Sequence, residues 1–245
     1  MSQIIRTVLF VIIQFFANFV QAVTGFGGGP ISMPPSMPLV GVGEAKAAVT
    51  CILWLTCIVV SVREIKNIDY KQLGIILACM APGVLFGMWL FSVLPLHILM
   101  LIYGIIVILI GARRLFFPSG KELPKILRFT ALILAGLMQG MFTSGGPFLV
   151  IYSVSAIPDK TRFRATMSTV WTVINTYMVI SMFRKGMYAN GAGWLVVYSM
   201  VPVALAILLG KKVADRLNHE LFLKVIYALL MVSGALLVYN YFNIA

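Results

Sequence analysis

Apolar residues run along this chain in long stretches that are separated by short clusters of charged residues. Six stretches are continuous over roughly 17–22 residues, the length of a helix that crosses a bilayer. They lie at about 45–62, 73–93, 96–116, 165–183, 191–210 and 221–242. Two longer stretches, at about 4–40 and 126–157, are interrupted by glycine and proline. The pattern predicts an all-α polytopic membrane protein.

The two interruptions are GFGGGPISMPP at residues 25–35 and SGGP at residues 144–147. Each interrupted stretch is too long for one span and short for two. Irregular backbone at membrane depth is tolerated only where it is buried in protein or lines a cavity, because lipid offers no hydrogen bonds. We therefore expect each stretch to form a broken-helix hairpin that enters the membrane and returns to the side it left.

The two halves of the chain resemble each other, which indicates an internal duplication. The motif at residues 28–30 matches the one at 145–147, and Lys46 matches Arg164. Further matches are Pro82 with Pro202, Gly87 with Gly210, and Gly111 with Gly234. We expect an N-terminal repeat at 1–117 and a C-terminal repeat at 126–245, each a hairpin plus three transmembrane helices. A polar, cytoplasmic linker at 118–125 joins them.

The positive charges favour the hairpin topology. If each interrupted stretch crossed the membrane once, the 19 Lys and Arg residues would divide eleven to eight, which is hardly a bias. With hairpins, fifteen face one side and only Arg6, Lys46, Arg184 and Lys185 face the other. The positive-inside rule then places the N-terminus outside and loops 63–71, 113–128, 158–164 and 211–220 in the cytoplasm. Each repeat crosses an odd number of times, so the repeats are inverted, as in secondary transporters.

The composition agrees with a membrane protein and narrows its partners. Only 11% of the residues are charged and 61% are hydrophobic, whereas a soluble domain carries about 25% charged residues. The net charge of +12 does not indicate nucleic acid, because no basic domain presents it; a lipid bilayer is the expected surrounding. Cys51, Cys57 and Cys79 match no metal or redox spacing, so we interpret them as apolar fillers. A homo-oligomer is compatible with the sequence, which does not specify an oligomeric state.

The two glycine-proline breaks are the candidate substrate site. A helix N-terminus carries roughly half a positive charge, and glycine leaves backbone N–H groups accessible to an anion. Two hairpins that enter from opposite sides would bring both tips together near the midplane, where they form a site for a small anion. The predicted site residues are Gly27, Gly28, Gly29, Pro30, Ser144, Gly145, Gly146 and Pro147, with Gln21, Thr24, Gln139, Thr143, Lys46, Arg164, Thr50 and Ser168 around them.

Plainer explanations exist for the same residues. Gly25 and Gly29 form a GxxxG motif that lets helices approach closely. Lys46 and Arg164 begin the helices after the hairpins and could guard the two mouths of a pathway, or could be interfacial anchors. Asn175 suits an interhelical hydrogen bond as well as a ligand.

The acidic residues bear on mechanism. Proton or sodium coupling normally leaves carboxylates or histidines inside the membrane, but all seven acids lie near predicted helix ends. The sequence therefore predicts an uncoupled anion carrier without cofactor or metal, driven outward by the membrane potential; an anion channel is the alternative within transport. An enzyme would need clustered carboxylates, a Ser/His pair or metal ligands, which the sequence lacks. A scaffold that transports nothing would leave the duplication unexplained.

The chain resembles the sulfite exporter TauE/SafE family of membrane permeases. The likeness rests on NFVQAVTGFGGGPISMP near the start and LMQGMFTSGGPFLVIY at mid-chain, together with the Lys46 and Arg164 helix starts. The resemblance implies a multipass membrane protein that moves small sulfur-containing anions such as sulfite, sulfonates or thiosulfate. It assigns the substrate role to residues 27–30 and 144–147. The second break has Ser144 where the first has Gly27, so the two tips need not contribute equally.

Overall fold

The computed structural model describes residues 2–93, 124–189 and 191–216 continuously, with scattered positions between 101 and 112 and between 218 and 242. These residues form helices and turns without strands. The helices are α1 (Gln3–Thr24), α2 (Gly28–Val40), α3 (Val42–Arg63), α4 (Tyr70–Leu90), α5 (Lys125–Phe142), α6 (Gly146–Ala156), α7 (Lys160–Arg184) and α8 (Ala192–Arg216), with a 3₁₀ turn at Ile65–Asn67. Of the described helices, α1, α3, α4, α5 and α8 are long and apolar enough to cross a membrane, which confirms the predicted all-α membrane class.

Other sequence predictions fall outside the described residues. The helices expected at about 96–116 and 221–242, and most of the linker at 118–125, lie beyond the continuous ranges. Within those ranges, α7 has 25 residues and is long enough to cross a membrane, although it carries more polar residues than the five apolar helices.

Both interruptions end one helix and start another. Helix α1 stops at Gly25, whose φ of 80° is left-handed, and α2 begins after Gly27 at φ 93°. Such backbone suits glycine, which has no Cβ to clash. Helix α5 stops at Thr143, whose φ of 53° is the only positive value among the described non-glycine residues. A left-handed threonine costs about 1–2 kcal/mol, so surrounding contacts have to hold this turn in place.

The helix termini gather at two ends of the molecule. At the first end, Arg6 of α1, Gly41 after α2, Glu44 of α3 and Gly191 before α8 line one vestibule of about 770 Å³. At the second end, the Tyr152 hydroxyl of α6 donates to Gln72 Oε1 of α4 at 2.8 Å. The guanidinium of Arg128 in α5 lies 5.3 Å from the Tyr152 ring centroid. Hairpin α1–α2 therefore opens at the first end and hairpin α5–α6 opens at the second.

The first arm of each hairpin is long. Helix α1 has 22 residues and α5 has 18, which correspond to about 33 Å and 27 Å at 1.5 Å per residue. Each first arm therefore spans most of a bilayer core of about 30 Å. The returning arms, with 13 and 11 residues, are shorter.

Packing between the helices is reciprocal. Helix α1 packs against α8, α5 packs against α4, and α3 packs against α7. In the α4–α5 contact the two backbones approach each other directly. A Cβ at Gly83 or Gly87 would overlap the backbone of Ile133 and Leu137, and one at Gly136 would overlap Met80. Small residues at four-residue intervals permit this approach of two apolar helices.

Candidate functional site

The two hairpin tips touch each other. Gly29, in the first turn of α2, lies against the carbonyl oxygen of Thr143, and a Cβ there would overlap that oxygen. Gly146, at the start of α6, lies against Phe26, whose ring a Cβ would meet at 3.1 Å. Close approach is thus a sufficient reason for glycine at position 29. The contact between the tips places the first turns of α2 and α6 next to each other.

A small cavity lies between the tips. Its volume is about 10 Å³, which is room for about one water molecule. Leu53 and Trp171, near the middle of α3 and α7, form part of its wall, so the cavity is level with the centre of both helices. None of the described lining residues is charged. They are Gln21, Gly27, Gly29, Pro30, Leu53, Cys57, Gln139, Thr143, Gly146, Trp171 and Asn175.

Two glutamines hold the tips in the same way. The Gly28 amide donates to Gln21 Oε1 at 3.0 Å, and the Gly145 amide donates to Gln139 Oε1 at 3.1 Å. These two amides, which the sequence suggested for an anion, are thus occupied by side chains. In the described part of the chain, the amide N–H groups of Gly27 and Gly29 make no hydrogen bond, and both residues line the cavity.

Further polar contacts close the tips. The Trp171 indole N–H donates to the Gly25 carbonyl at 3.0 Å, and Gln139 Nε2 donates to Asn175 Oδ1 at 2.8 Å. The Thr50 and Thr143 hydroxyls are 2.7 Å apart, which helps to hold Thr143 in its left-handed turn. Every donor here is neutral, a set suited to an oxyanion that must be taken in and released.

Cys57 lines the cavity although the sequence did not suggest it, whereas Asn175, which suited an interhelical hydrogen bond or a ligand, lines the cavity and accepts a hydrogen bond from Gln139. Cys57 was expected to be a filler, yet it lines the cavity and Gln21 Nε2 lies 3.3 Å from its sulfur. Cys57 and Asn175 are 118 positions apart, the offset that also separates Lys46 from Arg164.

Lys46 is a buried lysine with no carboxylate partner in the described part of the chain. It is 3% exposed, its Nζ donates to the Gly140 carbonyl at 2.8 Å and lies 3.3 Å from the centroid of the Phe91 ring. A buried charge is costly unless it is neutralised. Because Thr50, one turn further along α3, bonds Thr143 at the tip, an anion held by the tip would lie on the same side of α3 as this charge.

Arg164 has the opposite surroundings. Its guanidinium forms an ion pair with Glu64, which is only 8% exposed, and lies 3.6 Å from Asp215. The three residues connect the ends of α3, α7 and α8 at the second end. Arg164, expected to be an interfacial anchor or a guard of one mouth, is held by carboxylates at the second end, and Glu64 is a buried partner although it lies at a helix end.

The remaining predicted residues lie around this core. Gly25 packs so tightly against α7 that a Cβ would come within 2.9 Å of Arg164 Cα. Gly28 and Gly145 do not line the cavity themselves, but their amides donate to Gln21 and Gln139, which do. Thr24, Ser144, Pro147 and Ser168 are buried but do not line the cavity.

Two comparisons with known proteins match the chain. The family model described as "Sulfite exporter TauE/SafE" matches residues 10–237. A protein of Comamonas testosteroni, described as "Probable inner membrane transporter protein TsaS", is 24% identical over 172 residues, which cover 69% of this chain and 72% of that protein. No solved structure matches the chain significantly.

Proposed function

The chain belongs to the sulfite exporter TauE/SafE family, a family of membrane transporters rather than enzymes, and we propose that it exports small sulfur-containing anions through the cavity between its hairpin tips. Sulfite, a sulfonate or thiosulfate is the substrate class. One observation carries the proposal: two helix breaks from different parts of the chain meet at one neutral, hydrogen-bonding cavity. Irregular backbone at that depth is typical of substrate sites in transporters built from repeats.

The proposed architecture is a pair of inverted repeats. Its support is that the two hairpins open at opposite ends, and that α1–α8 and α5–α4 are reciprocal pairs. The first end has few positive charges and the second has many, so we assign the first end to the outside.

The electrostatics suit an anion. The cavity has neutral donors, while Lys46 supplies a buried positive charge one helical turn from Thr50. An anion at the tips would reduce the cost of burying that charge. The same arrangement disfavours a cation, because none of the described lining residues carries a negative charge.

The closed cavity supports alternating access over a channel. A volume of about 10 Å³ is too small for a sulfur oxyanion, so the tips must separate before substrate enters. Larger spaces lie at both ends, about 770 Å³ at the first and about 260 Å³ beside Lys160, Arg164 and Asp215 at the second. The Arg164–Glu64–Asp215 cluster would hold the second end shut in this state.

We propose that the membrane potential drives export without proton coupling. A unit negative charge that leaves a cell gains about 2.3 kcal/mol per 100 mV of inside-negative potential. The described lining residues include no carboxylate or histidine that could carry a coupled proton.

Flux from proteoliposomes tests this function. We expect sulfite efflux that increases with an inside-negative potassium diffusion potential and saturates with sulfite concentration. Efflux that follows a pH gradient at zero potential would contradict uncoupled transport, non-saturating flux would favour a channel, and no flux of any sulfur anion would favour a scaffold.

A further inference from the structure

Five polar side chains form a second buried group, which we call the polar seam: Gln14, Asn18, Ser32, Ser36 and Thr56. All five are 0% exposed, and they belong to α1, α2 and α3 rather than to the cavity. Sequence comparison of the two breaks does not identify them, because they lie one to three turns away from the glycines.

Hydrogen bonds join four of the five seam residues to one another, and Ser32 bonds the backbone of its own helix. Gln14 Nε2 donates to Ser36 Oγ at 3.3 Å, and Thr56 Oγ1 donates to Asn18 Oδ1 at 2.6 Å. Asn18 Nδ2 in turn donates to the Gln14 carbonyl at 2.8 Å, and Ser32 Oγ donates to the Gly28 carbonyl at 2.7 Å. Gln14 Oε1 is buried and makes no hydrogen bond to the described residues, so the Gln14 amide is only partly satisfied in this closed state.

The seam joins the cavity to the first end. On α1, Gln14, Asn18 and Gln21 are spaced as i, i+4 and i+7, which places them on one face of the helix. Gln21 lines the cavity, and Thr56 is next to Cys57, which also lines it. At the other extreme, Ser36 is next to Met37, which lines the 770 Å³ vestibule.

The second repeat keeps only one of these five polar side chains. At an offset of 118 residues, Gln14, Asn18 and Thr56 correspond to Leu132, Gly136 and Ile174. At the offset of 117 that aligns the two breaks, Ser32 and Ser36 correspond to Leu149 and Ser153. If these polar groups only glued a hairpin to its neighbour, the equivalent hairpin should need them as well. Buried polar groups within a membrane are costly and are typically functional.

Helix α2 differs from α6 in a related way. It contains Pro34, Pro35 and Pro38 inside the helix, whereas α6 has no proline after Pro147. Each internal proline lacks the N–H that would bond the carbonyl four residues earlier. Helix α2 therefore has weaker internal hydrogen bonding, and of α1, α2 and α3 it is the helix best able to bend.

We infer that the polar seam is the route of the anion between the central cavity and the first end, opened by movement of α2. Movement of α2 away from α1 would break the bond between Gln14 Nε2 and Ser36 Oγ, and the freed amide N–H and hydroxyl would then donate to an oxyanion in place of water. The inference rests on the proposed transport function and adds which helices line the path. It also implies that the path to the second end is built differently, beside the ion cluster of Arg164.

Cysteine labelling tests the route without relying on flux. In a chain with Cys51, Cys57 and Cys79 replaced by alanine, Ser36→Cys is compared with its equivalent, Ser153→Cys. The probe is 2-sulfonatoethyl methanethiosulfonate, a small anion, applied from the first end. We expect Ser36→Cys to react at least tenfold faster than Ser153→Cys, and Ser32→Cys to behave like Ser36→Cys. Equal, slow reaction of all three in folded protein would overturn the route.

A second measurement separates the route from the site. Thr56→Val should reduce sulfite flux at least tenfold while sulfite still raises the melting temperature as in wild type, since the cavity is intact. Thr176→Val, which loses a hydroxyl elsewhere, should transport normally. Unchanged flux in Thr56→Val would overturn the route. If the cysteines react as expected but wild type neither binds nor transports sulfur anions, the route stands and the proposed function fails.

Discussion

At the scale of single residues, Lys46 and Arg164 occupy matching positions in the two halves but have different electrostatic surroundings. Arg164 pairs with Glu64 and lies near Asp215, whereas Lys46 contacts a carbonyl and an aromatic ring. We expect Arg164 to hold the second end together and Lys46 to attract the substrate.

Replacing Lys46 by methionine should weaken sulfite binding by about tenfold or more, which is about 1.4 kcal/mol. The substitution removes the buried positive charge and keeps most of the apolar stem. Lys185→Met, an exposed lysine at the same end, is the control and should bind normally. Titration calorimetry with detergent-purified protein measures both, and equal affinities would exclude Lys46 from the site.

Arg164→Gln should destabilise the protein by about 3–5 kcal/mol, because the buried Glu64 carboxylate would lose its partner. Adding Glu64→Gln should recover most of that loss. Asp215→Asn should have a small effect, since the Asp215 side chain is 56% exposed and exposed pairs contribute little. Chemical denaturation compares the four proteins; a single Arg164→Gln variant as stable as wild type would contradict the assignment.

The sequence predicted which polar residues surround the hairpin tips but not which hydrogen bonds they make. Gln21 and Gln139 were expected near the breaks, yet their capping of Gly28 and Gly145 depends on how the chain turns back over six or seven residues. Cys57 carried no signal of its own, because free cysteine is among the residue types most often buried as small hydrophobic side chains. Its place at the cavity follows only from the packing of α3 against the tips.

At the scale of elements, the glycines of α4 and α5 let two apolar helices approach backbone to backbone. Gly83→Leu should therefore destabilise the protein by about 1–3 kcal/mol or more, as expected for an overpacked contact. Gly74→Leu, in the same helix but with nothing within 4 Å of its Cβ position, should be tolerated. Melting temperatures in detergent distinguish them; similar values would mean that this interface is loose.

Hydrophobic pattern predicts helices well in this chain and helix partners poorly. The stretch expected at about 45–62 is part of α3, and the one expected at 165–183 is part of α7. The hydrophobic pattern of α3 or of α7 does not indicate that the two helices are central neighbours, because one apolar face can pack against any other. The reciprocal pairing of α1 with α8 and of α5 with α4 is recognised only when the helix contacts are compared between the two predicted repeats.

At the scale of the whole molecule, the two hairpins open at opposite ends, and the topology can be tested in cells. Single cysteines in place of Gly43 and Ala189 mark the first end, and those in place of Lys66 and Pro158 mark the second; all four positions are exposed. An impermeant maleimide added outside should label the first pair only. Labelling of Gly43→Cys and Pro158→Cys from the same side would contradict the inverted arrangement.

The membrane class and the two helix breaks could be predicted from the sequence, because each leaves a linear pattern, whereas the duplication of the two halves stays a prediction. The closed state of the cavity, the Arg164 cluster and the polar seam could not. They arise from contacts between residues 22 to 100 positions apart in the chain, and four of the five seam residues have no polar equivalent in the second repeat.

The most direct test of the central claim is thermal stabilisation by sulfite of wild type, Asn175→Leu and Thr176→Val in detergent. Both substitutions lie on α7 and remove hydrogen bonds, one from Gln139 to Asn175 and two at Thr176, but only Asn175 lines the cavity. A ligand stabilises by RT ln(1 + [L]/Kd), so sulfite should raise the melting temperature of wild type and Thr176→Val and leave Asn175→Leu unchanged. Equal stabilisation of all three folded proteins would place the anion site away from the hairpin tips.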